Sequence, residues 1–269
     1  MPAGIGIAHR GFDKPMRNER FLVISALIFA ASAAATIDAC MSMSAMAGMP
    51  MPGDWTMSMT WMRMPGQTWT DLAVSFLGMW IVMMAAMMLP SLVPMLCRYR
   101  QAVASTGETR LGRLTALVGA GYFFAWSAFG IAAFALGASL AAVAMREPAF
   151  ARAVPFAAGV VVLMGGALQF TAWKAGHLAC CRKSLQRVLP ANARTAWRHG
   201  LRLGLHCGCC CSGLTAILLA VGVMDLGAMA VVTAALTIER LAGERVARAI
   251  GVVVVAAGLF LIARAVGLA

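Results

Sequence analysis

Half of the eight cysteines in this chain and one of its four histidines stand in a single run, His206-Cys207-Gly208-Cys209-Cys210-Cys211. Upstream lies His177-Leu178-Ala179-Cys180-Cys181, so the spelling H-x-x-C-C occurs twice, as His177/Cys180/Cys181 and as His206/Cys209/Cys210. On a helix, side chains three and four positions apart share a face. Two such faces brought together offer imidazole and thiolate, with Cys207 beside them, to a soft metal ion such as Cu(I), Zn(II) or Hg(II). The spelling C-x-C-C-C is not a zinc-finger spacing. A disulfide framework is also a poor reading, because such frameworks staple small secreted domains that lack a core.

Methionine supplies a second set of soft donors. Between residues 41 and 71 it stands at positions 41, 43, 46, 49, 51, 57, 59, 62 and 64, interrupted by Pro50, Pro52, Pro65 and several glycines. Proline and glycine at that density oppose a packed helix, so a Met-rich loop is expected there. A thioether stays unprotonated at any pH and suits Cu(I) better than harder cations, although methionine also serves as an adaptable filler. Further on, Met84 with Met87 and Met88 makes a helical i, i+3, i+4 stripe just before Pro90-Ser91, in which packing and ligation are both open.

The elements that must position these donors are membrane helices. With 61% hydrophobic residues and 12% charged, the chain has too few polar side chains to cover a soluble globule of its size. After a basic segment, 1–20, apolar runs follow at 21–39, 72–96, 114–145, 152–173, 205–222, 226–238 and 250–266, most of them near the roughly 20 residues a bilayer span requires. The fold class expected is therefore all-α: a polytopic transmembrane bundle of about seven spans. Its divisions are a first segment 1–20, a first helix 21–40, the Met-rich external loop 41–71 and a six-span domain 72–269. The run 226–238 is short and either re-entrant or extended through Glu239.

Basic residues give an orientation. Arg and Lys crowd the N-terminus, the 97–113 loop, the 174–204 loop and the 239–248 loop, whereas Arg63 is alone in the Met-rich loop and the turn at 223–225 has none. Alternation then sets the N-terminus in the cytoplasm and brings both H-x-x-C-C motifs to the cytoplasmic ends of antiparallel neighbours. The net charge of +12 is topological on this view, and no nucleic-acid partner is expected. Asp38, Asp71 and Asp225 fall near the outer boundary, as ligands or simply facing water, and Glu239 beside Arg240 reads as a local ion pair. No nucleophile triad, phosphate loop or paired carboxylates are present, so the chain is read as more a binder than an enzyme.

Several segments together resemble a bacterial family described as predicted metal-binding integral membrane proteins. They are Trp80-x-x-Met83-x-x-Ala86-Met87-Met88-Leu89-Pro90-Ser91, Gln169-Phe170-Thr171 with Lys174 through Arg182, and Cys207-Gly208-Cys209-Cys210 with Gly222-Val223-Met224-Asp225-Leu226 and Glu239. The likeness spans roughly residues 70 to 245. In that family cysteine is common where this chain has His177 and His206, tryptophan where it has Cys211, and asparagine where it has Asp225. The resemblance implies metal binding in a bacterial inner membrane.

The expected protein thus handles copper. His177, Cys180, Cys181, His206, Cys207, Cys209, Cys210, Met84, Met87 and Met88 are its expected ligands, with Cu(I) the best-fitting ion and zinc or mercury the alternatives. Collection by the outer methionines and retention by the thiolates would serve acquisition, transport or delivery to a membrane or periplasmic protein. Mercury or other soft-metal transport, a metal-dependent membrane oxidoreductase and its maturation factor are the competing roles.

Overall fold

The computed structural model describes residues 14–46, 48–63, 66–105, 108–183 and 192–267, with the backbone alone for 14–17 and 181–183. Of the residues singled out above, Met64, Pro65 and most of the first segment, 1–13, lie outside the described residues, as do the Cys181 and Arg182 side chains. Among the described residues eight α-helices and one hairpin follow in the order α1 Lys14–Ala45, β1 Met49–Met51, β2 Trp55–Met57, α2 Trp69–Ala104, α3 Leu111–Arg146, α4 Pro148–Leu168, α5 Ala172–Lys183, α6 Ala193–Val221, α7 Leu226–Ala242 and α8 Glu244–Ala265. The fold is an all-α bundle.

Six of these helices, α1, α2, α3, α4, α6 and α8, are long and apolar enough to cross a membrane. Large apolar side chains such as Leu22, Leu27, Val252 and Phe260 point outward, as they do toward lipid rather than water. The expected count of seven included α7, which reaches 17 residues by running through Glu239 to Ala242. At 1.5 Å per residue that covers about 26 Å, short of a hydrocarbon core of about 30 Å.

Local chemistry explains where the helices begin. Thr68 caps α2: its hydroxyl accepts the Asp71 N–H, and the Asp71 carboxylate accepts the Thr68 N–H at 2.9 Å. Asp225 accepts the Ala228 N–H at the head of α7. Asp71 and Asp225 therefore satisfy orphan helix donors. The run expected as one span over 152–173 ends at Leu168, turns through three i to i−3 bonds at Gln169, Phe170 and Thr171, and restarts as α5. The helix α6, expected from 205, begins at Ala193, capped by Asn192. Arg194, Arg198 and Arg202 are one turn apart on its exposed side while Ala196, Gly200 and Leu203 are buried, so a helix with a polar stripe precedes the apolar run.

The segment expected as a Met-rich loop has more order than that. The helix α1 already includes Met41 and Met43, and β1 pairs antiparallel with β2 in the register Met49 to Met57. Gly53 and Asp54 make the hairpin turn with positive φ, where glycine is at no disadvantage. Met57 is buried against Ala141, Ala144 and Ala151, and the Trp55 indole donates to the Ala151 carbonyl, which seals the hairpin onto the junction of α3 and α4.

The core lies between α2, α3, α6 and α7. Trp80, Tyr122, Trp126, Met83, Met84 and Met88 are all buried there, and the Trp80 indole donates to the Trp126 carbonyl at 2.9 Å. Small residues let α3 and α6 approach closely. A Cβ on Gly121 would lie 2.6 Å from the Trp197 carbonyl oxygen and 2.9 Å from the Leu201 nitrogen, both backbone atoms of α6. Gly119, two residues earlier on α3, has nothing within 4 Å. Gly121→Ala is accordingly expected to destabilise the bundle by about 1–3 kcal/mol through overpacking. Thermal unfolding in detergent checks this, with Gly119→Ala expected to unfold at or above the wild-type temperature.

Candidate metal centre

The helix α6 divides its motif between two faces. Cys207, Cys210 and Cys211, at i, i+3 and i+4, are at most 2% exposed and face inward, while His206 and Cys209 are half-buried on the other side. On that second face the His206 ring meets His177 of α5, with the two Nδ1 atoms 3.3 Å apart. The two H-x-x-C-C motifs do come together, but through their histidines. Trp173 packs edge-on against His177 and holds its ring.

The inward face builds a cluster of sulfur. Arg240, from the last turn of α7, extends its guanidinium among the thiols: Nη2 lies 2.6 Å from Cys207 Sγ, 2.9 Å from Cys211 Sγ and 3.9 Å from Met88 Sδ. The Cys207 and Met88 sulfurs are 4.0 Å apart, and the Cys210 and Cys211 sulfurs 3.6 Å. The Tyr122 hydroxyl is 2.8 Å from Cys207 Sγ. It reaches there because α3 passes close to Gly204, where a Cβ would stand 2.7 Å from the Tyr122 carbonyl. Arg240 Nη1 donates to the Ser91 hydroxyl, and that hydroxyl bonds the Met88 carbonyl one turn back, beside the Pro90 that removes a donor from α2.

A buried ion pair braces this cluster from below. Lys174 Nζ contacts Glu239 Oε2 at 2.8 Å and donates to the Cys210 carbonyl at 2.5 Å, while Gln169 Nε2 donates to Glu239 Oε1 at 2.7 Å. Lys174, Glu239 and Gln169 are each at most 4% exposed. The ion pair expected between Glu239 and Arg240 is therefore corrected: adjacent residues on a helix point about 100° apart, so Glu239 turns to Lys174 and Arg240 to the sulfurs.

Of the expected ligands, Cys207, Cys210 and Met88 meet in the sulfur cluster, and His177 and His206 meet each other. Cys180 and Cys209, half-buried, each follow one of these histidines by three residues on its helix, and Met84 and Met87 are buried along α2. Among the described residues no three His, Cys, Asp or Glu side chains converge as a ligand set, and the further sulfur beside Cys207 is the Met88 thioether. The second H-x-x-C-C motif, expected at the end of its span, lies midway along α6, since that helix starts at residue 193. Cys211 and Arg240 were missed in sequence. The signal for Cys211 was present as C-x-x-C-C, the same helical spacing read one residue later; nothing local to Arg240 distinguished it from a topological arginine.

Removing one partner of the buried pair strands the other charge. Lys174→Met is expected to lower stability by about 3–5 kcal/mol, and adding Glu239→Gln to recover part of that loss, as read by chemical denaturation in detergent.

No curated protein and no solved structure matches this chain. A family model does, over residues 77–261, a stretch that holds Met88, Lys174, all the α6 cysteines and the Glu239–Arg240 step. That stretch is well over half the chain, and the chain belongs to this family, PpoB2, whose description is copper chaperone.

Proposed function

We propose that the protein holds Cu(I) at Cys207, Cys211 and Met88 inside the membrane and passes it to a membrane or periplasmic protein. The observation that carries this is Arg240 Nη2 lying against both thiols and near the Met88 thioether. A cation already sits where three sulfurs converge, at distances of 2.6 and 2.9 Å from the thiols, against about 2.3 Å for a metal–thiolate bond. Two thiolates and a thioether are the soft donors that select Cu(I).

Charge supports the monovalent ion. Cu(I) on two thiolates carries a net charge of −1, which the neighbouring guanidinium neutralises in a site shielded from water. Zn(II) or Hg(II) on the same thiolates is neutral and leaves the guanidinium uncompensated. At about 4 Å and an effective dielectric near 20, one such charge interaction is worth about 4 kcal/mol. The cargo ion thus displaces the guanidinium from between the sulfurs while keeping it as counter-charge. The half-buried His177–His206 pair offers a second, more accessible station on the opposite face of α6, with Cys180 and Cys209 one helical turn further along the same two helices. The basic loops support a cytoplasmic N-terminus, and the family resemblance supports the bacterial inner membrane.

Purified protein in detergent, loaded with Cu(I) under ascorbate and passed through a desalting column, is expected to retain copper. Cys207→Ser with Cys211→Ser is expected to lose the tightly held ion. Arg240→Gln should weaken Cu(I) binding roughly 100-fold or more while improving Zn(II) relative to Cu(I), because only the monovalent complex uses the counter-charge. Unchanged tight binding in the double cysteine variant would sink the proposal.

A further inference from the structure

At the opposite end of α2 from its basic terminus, a cavity of about 210 Å³ opens where α1, the hairpin segment, α2 and the α6–α7 turn meet. Six of the residues lining it are methionines: Met43, Met46, Met59, Met62, Met79 and Met224. They come from the end of α1, the 3-10 turn Met59–Trp61 and the residue after it, Met79 of α2, and the α6–α7 connection, so no single helical stripe explains their convergence. Behind this lining the buried Cys40 Sγ lies 3.9 Å from Met224 Sδ. Methionine used as filler closes space; here it surrounds a space several times the roughly 30 Å³ share of one water molecule. Met46, 37% exposed, stands at its mouth, and Thr60, Gln67 and Ser75 give it a polar edge.

We infer that this cavity is a second binding site for a soft monovalent cation, Cu(I), held by neutral thioethers and distinct from the buried thiol cluster. Four of its six methionines lie before residue 77, outside the stretch matched by the family. Neutral donors leave the complex with its full positive charge, so the site binds more weakly than two thiolates beside an arginine and releases its ion toward them. A route exists along α2. Met79 lines the cavity, Met88 touches the cluster, and Met83, Met84 and Met87 between them are all buried. The nine-residue rise from Met79 to Met88 covers about 14 Å of helix, and the pairs Met79/Met83, Met83/Met87, Met84/Met87 and Met84/Met88, three or four residues apart, stand within about 6 Å of each other at Cβ. The direction of this transfer rests on the proposed Cu(I) site at Cys207 and Cys211; binding in the cavity does not.

Silver(I), a redox-inert analogue of Cu(I), is the probe. Calorimetric titration of the full chain in detergent is expected to resolve a tight and a weaker class of sites. Cys207→Ser with Cys211→Ser should lose the tight class and keep the weaker one. Met59→Leu with Met62→Leu, and separately Met224→Leu, should each weaken the second class at least tenfold and leave the first; leucine is close in volume, and gel filtration with circular dichroism verifies the fold. Weak-class binding unchanged in both leucine variants overturns the inference. Loss of the weak class in those variants, with the double cysteine variant indistinguishable from wild type, upholds the cavity and removes the buried thiol site instead.

Discussion

A permanently charged guanidinium inside a membrane bundle is costly unless something compensates it, and Arg240 is compensated by sulfur. Its two outer nitrogens reach Cys207, Cys211, Met88 and Ser91, while Nε is sealed from solvent without a partner. This contact ties α7 to α6 and α2 at one point. An arginine so placed demands polarisable or anionic neighbours, and thiols meet that demand in a way that hydrocarbon cannot. The same demand makes the site suitable for a soft cation, since the sulfurs are already arranged around positive charge.

The surrounding structure keeps that arrangement in register. Lys174 and Glu239 are buried together, and Lys174 also holds the Cys210 carbonyl, so the ion pair fixes both the turn of α6 that carries the cysteines and the turn of α7 that carries Arg240. The break between α4 and α5 matters here, because it turns Lys174 and His177 toward α6 instead of continuing along α4. On the far side, the glycines of α3 and α6 bring Tyr122 close enough for its hydroxyl to meet Cys207. Breaking such a buried network leaves polar groups without partners, which is why its members act as a unit.

Two sulfur environments follow from donor chemistry. Thioethers line an accessible cavity near the chain turns, and thiols occupy a sealed interior beside an arginine. In a copper-associated family such a pairing suits capture at one level and retention at another, with the methionines of α2 between them. The histidine pair on the opposite face of α6 is chemically a third environment, nitrogen donors at partial exposure.

Composition alone determined that the chain is a membrane bundle, because 61% hydrophobic residues cannot be buried in a soluble globule of this length. Spacing alone also determined that His and Cys side chains group in helical threes and fours, whereas the direct approach of His177 to His206 is a product of the packing of α5 on α6. Helix limits were legible only where proline, glycine or a capping side chain marked them. The amphipathic arginine stripe that starts α6 at residue 193 reads in sequence like a loop, since exposed arginines suit either. Which of two overlapping face registers points inward, 206/209/210 or 207/210/211, was decided by tertiary packing, because both obey the same periodicity and only the neighbours on α2, α3 and α7 break the tie. The partners of Glu239 and Arg240 were likewise a matter of tertiary structure: they are adjacent in the chain, yet helix geometry sends one to Lys174 and the other to the thiols.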